Sequence, residues 1–218
     1  MGAKKQFAII GLGRFGGSVA RTLNVLGHEV LGIDNNDDIV QEFSNDLTHV
    51  VAIDIHDEVA LRTQGLHNFD SVVVAIGDTE ASLLVTLMLK DFGVENVIVM
   101  ATGLMHGRML KKIGANQVIY PHSDMGKRVA YRLASANVVD FIDLDGLRVI
   151  EIEAPALLIG KSLKNSGLRE KYDVNVLAVK SKNETLVPPP PDMIISKDDL
   201  VVIIGKSESL KKLEASIW

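Results

Sequence analysis

Three glycines spaced as Gly11-x-Gly13-x-x-Gly16, with a carboxylate further on at Asp34, are the residues of this sequence best placed to do chemistry. That chemistry is the holding of a phosphorylated ligand by backbone groups. A glycine at position 11 permits a tight strand-to-helix turn, and one at position 13 lets phosphate oxygens approach bare backbone. One at position 16 lets the following helix pack closely on a sheet. Asp34 lies 23 residues beyond Gly11, where a carboxylate ending the second strand accepts hydrogen bonds from both ribose hydroxyls. The bland alternative is a vestigial glycine turn, with Asp34 only capping the next helix.

Leu12, Arg14 and Phe15 complete the loop. The Arg14 guanidinium can fork onto a phosphate of its own or a neighbouring subunit, or it is an ordinary solvated arginine. Asn35, Asn36, Asp37 and Asp38 follow Asp34, and none is basic. A 2′-phosphate is repelled there, which disfavours NADP. Asp54 and Ile55 end the third strand, where a side chain reaches the adenine edge. Ala75, Ile76, Gly77 and Asp78 end the fourth, close to the adenosine or a second phosphate.

The elements that must position these residues recur at a steady interval. Apolar, β-branched runs fall at Gln6–Ile10, Glu29–Ile33, His49–Ile53, Ser71–Ile76, Asn96–Met100 and Gln117–Tyr120. Between them lie helical spacings: Phe15, Val19, Leu23 and Leu26 closed by Gly27, then Leu83, Leu84, Leu87 and Met88 closed by Gly93, and Met109, Leu110 and Ile113 closed by Gly114. Strand and helix alternating at this rhythm predict an α/β fold, a Rossmann-like doubly wound parallel sheet covered on both faces. After Tyr120 the pattern changes. A helix is expected over Ser123 to Ala136, with Met125, Val129 and Leu133 on one face, and then a hinge-like stretch over Val138 to Leu144. Strands at Val149–Ile152, Val174–Val179 and Leu200–Ile204, a short helical segment at Ser162–Lys171, a turn at Gly205 and a helix at Glu208–Leu213 make a second, smaller α+β lobe. Pro188 to Pro191 can only be an extended surface loop.

Composition narrows the classes. The 218 residues are 47% hydrophobic and contain no cysteine, so disulfides and thiolate chemistry are excluded. No apolar run is long enough to cross a bilayer, and the expected location is the cytoplasm. A net charge of −5 without clustering argues against nucleic acid as a partner. There is no Tyr-x-x-x-Lys pair, no His-Glu-x-x-His among the histidines, and no nucleophile beside a base in the second lobe. These residues read as binding without catalysis. The alternatives are a small NAD-dependent oxidoreductase and, with no helix-turn-helix or basic face in its favour, a redox-sensing transcription regulator.

The stretch Gln6 to Gly17 resembles the start of the cytosolic regulatory subunits of bacterial Ktr and Trk potassium uptake systems. Asn68-Phe69-Asp70 leading to Val74-Ala75-Ile76-Gly77, Lys112-Ile113-Gly114-Ala115, Tyr120-Pro121 before Asp124-Met125-Gly126, and Leu168-Arg169-Glu170-Lys171-Tyr172 continue the resemblance. It implies a regulator-of-conductance-of-potassium domain: a nucleotide-binding lobe with its crossover helix over residues 1–136, and a regulatory lobe over 137–218. It further implies homodimers formed through the crossover helix, assembled into a homo-octameric gating ring under a membrane potassium-translocating subunit. In that family ATP and ADP, and in some members NAD or NADH, occupy the glycine loop. The arginine matching Arg14 reaches the γ-phosphate. Cyclic di-AMP binds the second lobe of relatives, in the region matching Leu168, Arg169 and Val176. Two residues depart from the family pattern. His122 stands where a glutamate often helps to hold a divalent cation, so no metal ligand is assigned and Mg²⁺ stays open. Met100 replaces a basic residue near the end of the fifth strand.

Overall fold

The computed structural model describes residues 3–134, 137–144, 146–182 and 184–217. The chain divides into two compact units, Met1–Asp124 and Met125–Trp218. In the first, strands β1 (Gln6–Ile10), β2 (Glu29–Asp34), β3 (His49–Ala52), β4 (Ser71–Val74), β5 (Val97–Met100) and β6 (Gln117–Ile119) alternate with helices. The helices are α1 (Arg14–Val25), α2 (Asp37–Phe43), α3 (Glu58–Thr63), α4 (Thr79–Asp91) and α5 (Leu104–Ile113). The sheet has the order β3-β2-β1-β4-β5-β6, and every pairing is parallel. This is the doubly wound arrangement that the strand–helix rhythm predicts. Its central strands are buried on both faces. Ala8, Ile10, Ile33, Val72 and Val74 pack with Leu61, Val85, Leu89 and Leu110 on one side, while Ile9, Val30 and Val73 meet Ala20 and Phe43 on the other. The chain leaves β1 for one face and β4 for the other, so a crevice opens at their carboxyl ends.

Helix α6 (Pro121–Ala134) begins two residues before the expected start, with proline at its first position, where no N–H is needed. The expected last residues, Ser135 and Ala136, lie outside the described ones. Met125, Val129 and Leu133 form its apolar face and are 54%, 47% and 83% exposed.

The second unit is built on an antiparallel sheet of β7 (Val138–Leu144), β8 (Leu147–Glu153), β9 (Val174–Ser181), β10 (Glu184–Leu186) and β11 (Leu200–Lys206), in the order β10-β9-β11-β8-β7. Helices α7 (Leu168–Tyr172) and α8 (Ser207–Ile217) complete it. One sheet face carries Ile150, Ile152, Val179, Val201 and Ile203 against Leu168, Leu210 and Leu213. The prolines 188–191 belong to no strand, as expected of that run.

The structure corrects the sequence reading in two places. The stretch Val138–Leu144 is a strand and not a hinge. Its alternation is broken because the register shifts between Val138 and Asp140, where Asp140 turns to Arg128 and to the Phe141 backbone N–H. Asp143 likewise points to Arg148. Gly205 is not a turn but a paired position inside β11, opposite Arg148 and Val174. A Cβ there would stand 2.8 Å from Val174 Cγ1, so the glycine answers a close approach between strands.

Candidate functional site

The crevice at the carboxyl ends of the parallel strands holds a cleft of about 570 Å³. Gly11, Gly13, Asp34, Asn35, Ile55, Ala75, Ile76 and Gly77, all expected from the sequence, line it. Gly11 has φ +92°, and a Cβ on it would stand 2.8 Å from the Ala75 carbonyl oxygen, so only glycine turns here without strain. Gly16 is held more tightly still: a Cβ would lie 1.9 Å from the Gly11 oxygen and 2.9 Å from Ala75 Cβ. These contacts seat the start of α1 directly on the ends of β1 and β4.

Gly13 is the N-cap of α1 and supplies no side-chain cap, and the first turn carries no acidic residue. The N–H groups and the positive end of this helix dipole are left for an anion. A second helix start on the cleft, that of α4, is closed from within. Asp78 caps α4 by accepting from the Ala81 N–H at 2.8 Å, and Glu80 adds negative charge to its first turn. A phosphate is therefore drawn to α1 and turned away from α4.

Asp34 is 8% exposed. Its Oδ2 accepts from the Leu12 N–H at 2.8 Å and its Oδ1 from the Asn36 N–H at 3.0 Å. A carboxylate has about four lone-pair directions, so two remain for other donors while two hold the loop and the start of α2. Leu12 contributes this N–H, whereas its side chain is buried in the core.

The remaining expected residues take other places. Gly16 is buried beneath the loop. Phe15 is half-buried and does not line the cleft. Arg14 is exposed and makes no ion pair among the described residues. It faces a neighbouring hollow of about 260 Å³ that shares Gly13 and Ile39 with the main cleft. Asp54 is not among the residues that line the cleft; its Oδ1 accepts from the His56 backbone N–H at 3.0 Å and lies 2.9 Å from His56 Nδ1. Those two hydrogen bonds, the backbone one first, hold the Asp54 carboxyl below the usual carboxylate range. Asp78, expected at the end of the fourth strand, also lines the cleft, as do His56, Ile39, Glu80 and Ala81, which the sequence did not mark as site residues. The capping role of Asp78 has its own signal, since an aspartate three residues before the first buried position of an apolar helix is a capping residue.

In the second unit Leu168, Arg169 and Val176 line a common hollow of about 270 Å³, with Lys164, Ser166 and Pro191. His122 is exposed in the first turn of α6, and Met100 is buried at the end of β5. Among the described residues no three His, Asp or Glu side chains gather as a metal site, and no helix is long and apolar enough to cross a membrane.

Residues 7–121 match the TrkA-N domain and residues 147–217 the TrkA-C domain. The chain is 39% identical over 216 residues to Ktr system potassium uptake protein C of Bacillus subtilis, covering 98% of each chain. It is 40% identical over 212 residues to protein A of the same system and organism, covering 96% of each. This chain belongs to the Ktr potassium uptake protein family. Among solved structures this Ktr family member is similar to the GsuK channel bound to NAD, with a TM-score of 0.72 at 19% identity. That match covers 99% of this chain and 40% of the channel chain, so the Ktr chain spans well under half of that protein, and the likeness is one of fold. The GsuK protein bound to ADP matches over 60% of this chain and 35% of that one, with a TM-score of 0.54 at 18% identity.

Proposed function

We propose that this chain is the non-catalytic, nucleotide-responsive regulatory subunit of a Ktr-type potassium uptake system. The observation that carries the reading is the identity of about 40%, over nearly the full length, to proteins named for that system. Gly11, Gly13, Asp34 and the open start of α1 support an adenine nucleotide, ATP or ADP, or NAD(H), as the ligand. Arg14, beside Gly13 and without an ion pair among the described residues, is the group that tells ATP from ADP, by forking onto the γ-phosphate that ADP lacks. A divalent ion accompanying ATP is held by phosphate oxygens and water, because the His122 imidazole is a poor ligand for hard Mg²⁺.

Residues 1–136 form the nucleotide lobe with its crossover helix, and 137–218 the regulatory lobe. The exposed Met125, Val129 and Leu133 stripe pairs two copies, and the pairs close into an octameric ring on the cytoplasmic side of a membrane potassium-translocating subunit. Ligand energy gates that partner only through a difference in affinity between two ring shapes. The hollow at Leu168, Arg169 and Val176 takes cyclic di-AMP, with Lys164 and Arg169 as cations for its phosphates and apolar walls for its bases.

Paired calorimetric titrations of ATP, ADP and NAD on the full chain and on Arg14→Ala test the reading. Wild type binds adenine nucleotides, and Arg14→Ala weakens ATP by about tenfold or more, a charge-assisted bond, while ADP stays within a few-fold. Absence of binding to all three, or turnover of NADH with a panel of metabolites, overturns it.

A further inference from the structure

The geometry points to His56 as the residue that reads the purine base, with Asp54 as its positioning partner; this rests on the reading of the cleft as a nucleotide site. The strands order the cleft. Gly11 and Gly13 follow β1, Asp34 ends β2, and Ile55 and His56 follow β3, the next strand outward. Ala52 lies in register with Asp34, and the Ile53 N–H donates to the Asp34 carbonyl at 2.9 Å. The segment leaving β3 thus passes the ribose carboxylate on the side away from the glycine loop. A nucleotide with its phosphates on Gly13 and its ribose on Asp34 brings its base against Ile55 and His56, with Ile39 as a further apolar wall.

The pair also fixes what His56 offers that base. Asp54 Oδ1 lies 2.9 Å from His56 Nδ1, and an ionised carboxylate can only accept, so Nδ1 carries the proton. In the neutral ring Nε2 is then a lone-pair acceptor, and it has no hydrogen-bond partner among the described residues. An acceptor complements the 6-amino group of adenine. It opposes the 6-oxo group of hypoxanthine or guanine, where lone pair would face lone pair. Asp54 does not line the cleft, and its Oδ1 takes both the loop N–H and the ring, so it acts through His56 and not on the base.

The test compares ATP with ITP, which differ at C6 of the purine, on the full-length wild type, His56→Ala and Asp54→Ala. Both changes fall on an exposed segment. Wild type prefers ATP. His56→Ala lowers the ATP-to-ITP affinity ratio by roughly three- to tenfold, the worth of one hydrogen bond, chiefly by weakening ATP. Asp54→Ala lowers the ratio less, because the ring remains but its tautomer is no longer held. An unchanged ratio in His56→Ala overturns the inference while leaving the nucleotide site standing. So does a ratio lost in Asp54→Ala and kept in His56→Ala, which would make Asp54 the reader. Failure of the wild type to bind either triphosphate defeats the underlying reading and this inference together, and the wild-type titration alone reveals it.

Discussion

The glycine-loop end of the cleft in the first unit is built of backbone: two bare glycines and the open start of α1, beside one carboxylate already tied to the loop it serves. The hollow of the second unit is walled by side chains, with Lys164 and Arg169 as its cations and prolines as part of its rim. A site made of backbone is rigid because it is part of the fold, and damage to it spreads into stability. A site whose cations stand on a short helix and a loop can change those exposed residues with little cost to the sheet, although Leu168 and the β9 residue Val174 also belong to the core. The first therefore suits a ligand common to many proteins of this fold, and the second a ligand particular to a lineage.

Gly16→Ala should break the comparison most severely. Its Cβ would collide with the Gly11 carbonyl, a backbone atom that cannot step aside, and about 3 kcal/mol or more of stability should be lost. Gly205→Ala in the second unit meets only a side-chain carbon of Val174 and should cost less. Urea unfolding of the two variants side by side measures the difference, and equal losses would contradict it. Asp34→Ala should weaken ATP, ADP and NAD alike by about 1–3 kcal/mol and lower stability as well, since the buried Leu12 N–H loses its acceptor. Arg169→Ala should abolish any thermal shift caused by cyclic di-AMP while costing under about 0.5 kcal/mol of stability, as for an exposed surface change. A loss of both ATP and cyclic di-AMP responses in either variant would show that the sites are not built separately.

The smallest effect concerns Glu214, whose carboxyl is pushed above its usual range by burial, against the charges of Arg148 and Lys211. Because the folded value is the higher one, the ionised form costs stability above it, and the cost vanishes below the unfolded value. Glu214→Gln should then stabilise the protein by less than about 1 kcal/mol at pH 8, and the gain should fade as the pH drops through the raised folded value towards the unfolded one. A gain that grows on acidification would refute that assignment.

The parallel sheet and its glycine loop were legible because each places demands on residue type that few sequences meet by chance. Strands buried on both faces must be continuously apolar, and Gly11 and Gly16 sit where any Cβ collides. Strand β7 was obscured by Asp140 and Asp143, whose carboxylates serve Arg128 and Arg148 and so interrupt the alternation expected of a strand. Strand β10 is three residues long at a sheet edge, too short to carry a pattern. At the cleft, the sequence indicates that a polar residue ends β3 but not which way it turns. Asp54 accepts from the N–H of His56 two residues on, an Asx turn, and it is His56 that lines the opening. Leu168, Arg169 and Val176 had no local signature and came from family likeness alone.

Helix α6 has no fully buried residue along its 14 positions, and its part from Met125 on meets the rest of the second unit through Arg128 with Asp140 and through Tyr131, whose ring centroid stands 4.7 Å from that of Phe141. A helix of this length is near the limit of what persists in water without tertiary support. Its helicity is then a reporter of company: dilute chains should show it frayed, and concentrated chains, with the Met125, Val129 and Leu133 stripe covered, should show it complete. Circular dichroism that rises with protein concentration, and amide exchange across 121–134 that slows with it, would make this segment the molecule's own gauge of assembly.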